Sequence, residues 1–194
     1  MLMPVPASLG CAQGSRAQGS DAEKRSRAVG RRRLLAVSAL IFSGLGPASY
    51  AQTATEPTGP QPKLPTEELV ITGAGGARHV FHVEVARTPE QQITGLMFRK
   101  SVAADGGMLF PWGRPIESKM WMKNTLIPLD MVFIKADGTI GHIAEETVPE
   151  SLAIVSSDGP VVATLELKGG ITGKLGILVG DHVQSQALGT APAP

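Results

Sequence analysis

The amino-acid sequence predicts a mainly β domain of the α+β class, a small, partly closed barrel or sandwich with one or two short helices. Three observations carry this expectation. Apolar residues recur at every second position through most of residues 67–184, the period of a half-buried strand. Only one stretch joins a helix start to apolar residues at helical spacing. The first 66 residues read as a signal peptide and a Pro-rich linker, leaving about 118 residues for one modest core.

Strands are predicted at Leu69–Thr72, Val80–Arg87, Met108–Phe110, Lys119–Lys123, Met131–Lys135, Thr139–Glu145, Val161–Leu167 and, briefly, His182–Gln184. In the second of these, Phe81, Val83 and Val85 share one face, and His82 and Glu84 the other. The helix opens at Thr88-Pro89-Glu90, where Thr88 can accept a backbone N–H and Pro89 needs no donor. Ile93, Leu96 and Met97 then share a helical face. Gly169–Leu175 allows a second short turn, weakened by its three glycines. Ala136-Asp137-Gly138-Thr139 is a hairpin turn, since Asp-Gly tolerates the positive φ such turns require.

Residues 1–51 read as a signal peptide with a long basic start. Seven basic residues precede residue 34, the uncharged run Leu34–Gly46 follows, and Ser49 and Ala51 place cleavage after Ala51. A permanent anchor needs ~18 or more apolar residues, and this run breaks at Gly44, Gly46 and Pro47. Arg31-Arg32-Arg33-Leu34-Leu35 also has the form of a twin-arginine signal. The expected location is therefore periplasmic or secreted, with membrane contact only during export. Cys11 is the sole cysteine, so the mature chain has no thiol for a disulfide, a zinc–thiolate site or nucleophilic catalysis. Residues 52–194 keep eleven basic and fifteen acidic residues, a net charge of −4, which argues against nucleic acid as a partner. Residues 52–66, with Pro57, Pro60, Pro62 and Pro65, read as a disordered linker, 67–184 as a single β-rich domain, and 185–194 as a disordered tail.

Three ordered blocks stand out: Thr94-Gly95-Leu96-Met97-Phe98-Arg99, Gly107-Met108-Leu109-Phe110, and the long string from Met120-Trp121-Met122-Lys123-Asn124-Thr125 through Pro128-Leu129-Asp130-Met131 to Ile134. With Leu165-Glu166-Leu167 and Gly180-Asp181-His182-Val183 they resemble domain of unknown function 192 (DUF192), also called uncharacterised protein family UPF0127. The resemblance spans about residues 68–184 and implies a compact β-rich fold, often exported, with no known reaction. Lys168-Gly169-Gly170 departs from the small residue and glycine that the family tends to carry before a helix.

Charge marks the candidate site. Between Phe98 and Lys123 stand five basic residues (Arg99, Lys100, Arg114, Lys119, Lys123) and two acids (Asp105, Glu117), a local excess that draws anions. On a strand, Lys119, Trp121 and Lys123 share a face, an indole between two ammonium groups. That face suits a small anionic metabolite or an envelope carbohydrate, with Arg99 free for a bidentate contact. It equally suits packing of the indole under the lysine stems. Asn124, Thr125 and Asp130 complete the candidate ligand-binding set. A carboxylate between Leu129 and Met131 becomes partly buried and needs donors, for which Lys123, Arg99 and Asn124 are candidates.

The alternatives are an envelope hydrolase built from Glu166, Asp130, His142 and Asp181, and a partner-docking structural protein with a flat apolar patch. No catalytic constellation is recognisable in the chain, which has no Gly-x-Ser-x-Gly elbow and no phosphate-binding loop. The five methionines from Met97 to Met131, with His142, raise Cu(I) as a ligand. Their spread over a helix and several strands reads instead as core filler. His79, His82, His142 and His182 form no close ligand pair, so no metal or cofactor is expected.

Overall fold

The structure, a computed structural model, describes residues 56–190; the signal peptide expected from the sequence, the start of the expected linker and the last four residues lie outside them. Seven strands and two short helices follow in the order β1 (Thr66–Thr72), β2 (Arg78–Val85), α1 (Pro89–Thr94), β3 (Gly106–Met120), β4 (Leu129–Ile134), β5 (Ile140–Thr147), β6 (Val155–Lys168), α2 (Ile171–Leu175) and β7 (His182–Ser185). The strands form one sheet in the order β5-β4-β6-β3-β2-β1-β7. All pairings are antiparallel except β2 with β3. That parallel pair obliges residues 86–105 to cross back over one face of the sheet.

The sheet curls until its outer strands meet. Thr139 bridges His182, the Ile140 N–H donates to Asp181, and the Val183 N–H donates to Gly138. This is the partly closed barrel of the sequence expectation, not the sandwich. Side-chain alternation then feeds two cores. Leu109, Val132, Ile134, Ala163, Leu165 and Leu167 point into the barrel with Phe81 and Val83. Met108, Phe110, Met131 and Phe133 point outward, beneath Leu96, Met122 and Ile127. Each fully buried side chain of this size contributes about 1.5–3 kcal/mol, so both faces stabilise the sheet.

Several elements differ from expectation, each for a local reason. Met108–Phe110 and the first two residues of the predicted Lys119–Lys123 strand belong to one strand, β3, which ends at Met120. A register shift between Pro111 and Ile116 accommodates the prolines. Trp121 and Lys123 therefore lie in a loop and do not share a strand face with Lys119. Close approach of β3 and β6 requires Gly107, where a Cβ would stand 2.5 Å from the Glu166 carbonyl oxygen. Helix α1 starts at the predicted cap, with the reciprocal Thr88 and Gln91 bonds in place. It ends at Thr94, so Ile93 is exposed while Leu96 and Met97 are buried beyond the helix.

The linker and tail are shorter than predicted among the described residues. The Gln61 amide donates to the Gln91 and Gly95 carbonyls, Leu64 packs on the outer core, and Pro65 accepts from Val85. At the other end Ser185 is fully buried, and Ala187 and Leu188 cover the inner core. Apolar area too small to show as a pattern is enough to dock both segments.

Asp130 is the clearest structural carboxylate, buried completely on β4. Its Oδ1 accepts from the Glu146 and Gly170 N–H groups at 2.8 Å, and its Oδ2 from the Thr172 N–H and hydroxyl at 2.9 and 2.7 Å. These partners replace the expected Lys123, Arg99 and Asn124. The carboxylate supplies from a distant strand the N-terminal cap that α2, preceded by Gly170, lacks. Asp130→Ala leaves three backbone N–H donors unmet, the Thr172 hydroxyl keeping Glu145 as an acceptor at 3.1 Å, and should cost on the order of 3 kcal/mol, read as a lower urea midpoint with an unchanged slope.

Candidate functional site

The outer face carries a cleft of ≈320 Å³ between α1, the loop after β3 and the sheet. Its walls include Leu96, Met97, Phe110, Trp112, Met120 and Trp121, with Thr125 and Lys119 at the side and Glu166 from β6. The β3 period places Met108, Phe110 and Trp112 on one face, and the Phe110 and Trp112 rings stack with centroids 6.1 Å apart. Gln92 fixes α1 over this face by donating to the Ala86 and Pro111 carbonyls at 3.2 and 3.1 Å.

Backbone strain gathers at the same place. Phe98 and Asn124 both have positive φ, 61° and 56°, and the Phe98 N–H donates to the Asn124 carbonyl at 2.8 Å. Asn tolerates this conformation and Phe does so at about 1 kcal/mol or more. The two turns are thereby locked together behind the cleft. Gly95 ends α1 with φ 48°, and a Cβ there would press to 3.2 Å from the Phe110 ring. Only glycine lets the chain turn this close to the aromatic wall.

Glu166 is the outstanding group. Its cross-strand neighbours are Met108 and Met131, and it is 5% exposed. Among the described residues nothing donates to its carboxyl and no charge faces it closely. Burial alone pushes its pKa up from 4.5 to about 8. Near neutral pH the carboxyl is thus protonated, able to donate as well as accept. The Trp112 Nε1, in the same wall, is buried without a partner among the described residues, as is Arg99 Nε.

The sequence-predicted site residues separate into groups. Trp121 and Thr125 line the cleft. Lys123 stands 5.3 Å from the Trp121 ring centroid and pairs with Glu56, outside the cleft. Asn124 acts through its backbone, and its amide reaches the Met97 sulfur at 3.8 Å. Arg99 is not free for a ligand, because it pairs with Glu84 at 3.0 Å, which also accepts from the Leu64 N–H. Asp130 faces α2 from the opposite side of the sheet. His142 stacks on Phe133 and Asp181 accepts from the Leu178 N–H, so neither reaches Glu166 and the hydrolase set does not converge. Met108, Met122 and Met131 sit in the outer core, as core filler does. Trp112 was not expected; the Met108, Phe110, Trp112 alternation is its signal.

Beside the cleft, Trp121, Leu126, Val148, Leu152 and Ile154 are exposed on two loops joined by bonds from Met122 to Ser151 and from Glu150 to Thr125.

Residues 70–185 match the profile of the DUF192 family, described as "Uncharacterized ACR". No curated protein matches the chain. Two similar solved structures carry the same fold. One, from Sinorhizobium meliloti, is described as a candidate transcription regulator; it is 42% identical with a TM-score of 0.64, covering 66% of this chain and 98% of that one. The other, a protein of unknown function from Novosphingobium aromaticivorans, is 38% identical with a TM-score of 0.62, covering 72% and 99%.

Glu166 links stability to pH. The folded chain holds its proton to about 8 and the unfolded chain releases it near 4.5. The stability it contributes is whole below 4.5 and is lost as pH rises to about 8, on the order of 5 kcal/mol in all. Glu166→Gln should flatten this decline in urea unfolding measured across the window. A decline as steep as in the unsubstituted protein would assign the titration to another group.

Proposed function

Because the chain belongs to the DUF192 family, whose description assigns no reaction, we propose its function from the cleft: a binding module for one small ligand, an anionic metabolite or an envelope carbohydrate. The observation that carries this reading is an unpartnered carboxyl lining an aromatic cleft of ≈320 Å³, at the lower end of the size usual for small-molecule sites. A polar group placed among apolar walls orients a ligand, and a buried group without a partner is stabilised by acquiring one.

Of the two ligand classes, the carbohydrate is favoured. Both nearby lysines already face carboxylates, Lys119 toward Glu117 at 3.8 Å and Lys123 toward Glu56. The indoles of Trp112 and Trp121 offer flat surfaces to the C–H face of a sugar ring, while Glu166 exchanges hydrogen bonds with its hydroxyls. Hydrolysis would require a second carboxylate or a nucleophile in the cleft, and of the described residues lining it only Glu166 is acidic. The net charge of −4 over residues 52–194 opposes carrying over the regulator description of the Sinorhizobium protein as DNA binding.

The proposed setting is the periplasm or the exterior, supported by the basic start and the apolar run Leu34–Gly46. N-terminal sequencing of the protein recovered from cells should begin at Gln52; an intact start would count against export by this signal.

A thermal-shift screen against envelope sugars and anionic metabolites should raise the midpoint with at least one compound. Trp121→Ala should abolish that rise, whereas Lys123→Ala, outside the cleft, should retain most of it. Equal loss in both variants, or no shift with any compound, would move the function to the exposed loops beside the cleft.

A further inference from the structure

We propose that the ligand of this cleft carries an ammonium group that docks on the Glu166 carboxylate, the occupant being an amino sugar rather than a neutral or acidic one. This rests on the binding reading above and adds the charge of the ligand. Three features of the cleft point the same way.

The first is the missing partner. Glu166 lies between Met108 and Met131 on neighbouring strands, and no described residue donates to it. A carboxylate in such surroundings is unfavourable until a cation accompanies it. The described residues offer none: among them Lys119, from β3, is the only other titratable residue lining the cleft. Its ammonium turns outward to Glu117, both side chains being more than half exposed. Neither α1 nor the loop after β3 contributes a charged group to the lining.

The second is the wall chemistry. Phe110, Trp112 and Trp121 present three aromatic rings, whose π faces attract a cation and do nothing for an anion.

The third is charge balance. In the empty cleft below about pH 8 Glu166 is the neutral acid. When an ammonium group arrives, the carboxyl O–H bond breaks, the proton leaves to solvent, and the carboxylate remains paired with the ligand. One positive charge enters as one leaves, so the buried region stays neutral. A hydroxyl ligand would leave the proton in place, and a carboxylate ligand would keep it there.

Isothermal titration of the full-length chain at pH ~6, where the amine is charged, tests this with three matched probes: glucosamine, glucose and glucuronate. Each titration is run in two buffers of different ionisation heat, so that proton release is counted. Glucosamine should bind about tenfold or more tighter than glucose and release close to one proton, with glucuronate weakest. Glu166→Gln should bind glucosamine and glucose alike with no proton release. If the variant fails to fold, the proton count on the unsubstituted protein still decides. Equal affinity for glucose and glucosamine without proton release would overturn the ammonium inference and leave the binding module standing. A preference for glucuronate would overturn it in favour of Lys119. Binding of none of the three would overturn the amino-sugar inference, while the thermal-shift screen decides the binding module separately.

Discussion

Every residue of β4 is buried, because the barrel interior packs on one side of the sheet and the β2-to-β3 crossover covers the other. This two-sided burial governs the rest of the molecule, since a polar group on the central strands cannot turn to water for its hydrogen bonds. Two carboxyl groups meet the constraint in opposite ways. Asp130 collects four donors and ties β5 and α2 to the sheet. Glu166, on the other face and the neighbouring strand, collects none among the described residues. The first arrangement is that of a fastener. The second leaves an unmet bonding capacity where a cleft lies open to small molecules.

The cleft is a product of topology. A parallel β2/β3 pair needs a long return path, and that path, residues 86–105, carries α1, Gly95, Leu96 and Met97 onto the outer face. The loop after β3 closes the other side with Trp121 and Thr125. Gln61 and Gln92 pin α1 to both neighbours through backbone carbonyls. The strained pair Phe98 and Asn124 fixes the turns to each other. A site walled by connections and floored by strands combines a rigid base with walls that can be altered.

Much of the fold is legible from the residues because one face of several strands meets water. The alternation of Phe81, Val83 and Val85 on β2 survives on those terms, as do the Thr88-Pro89 cap and the Asp137-Gly138 turn. β3 is harder to read, since Pro111, Gly113 and Pro115 interrupt a strand whose register shifts at that point. The Lys119, Trp121, Lys123 face fails because the ladder ends at Met120, which no local pattern announces. Of the cleft lining, Trp121 and Thr125 are singled out by motif density and Glu166 as a polar residue on the Thr164 face of its strand. That Arg99 is already engaged by Glu84, or that Glu166 has no partner, depends on residues distant in sequence and is decided only by folding.

The contact between Thr139 and His182 that draws the sheet edges together also orders events in time. Of the described strands β7 is the last to leave the ribosome, yet it pairs with β1, the first of them, and meets the start of β5. Until residues near 185 have been made, the inner core lacks Val183, Ala187 and Leu188, and the edges of β1 and β5 have nothing to pair with. The ring therefore closes only after β7 has been made. Any factor that keeps nascent β edges from pairing with other chains has its greatest effect on this protein in that interval.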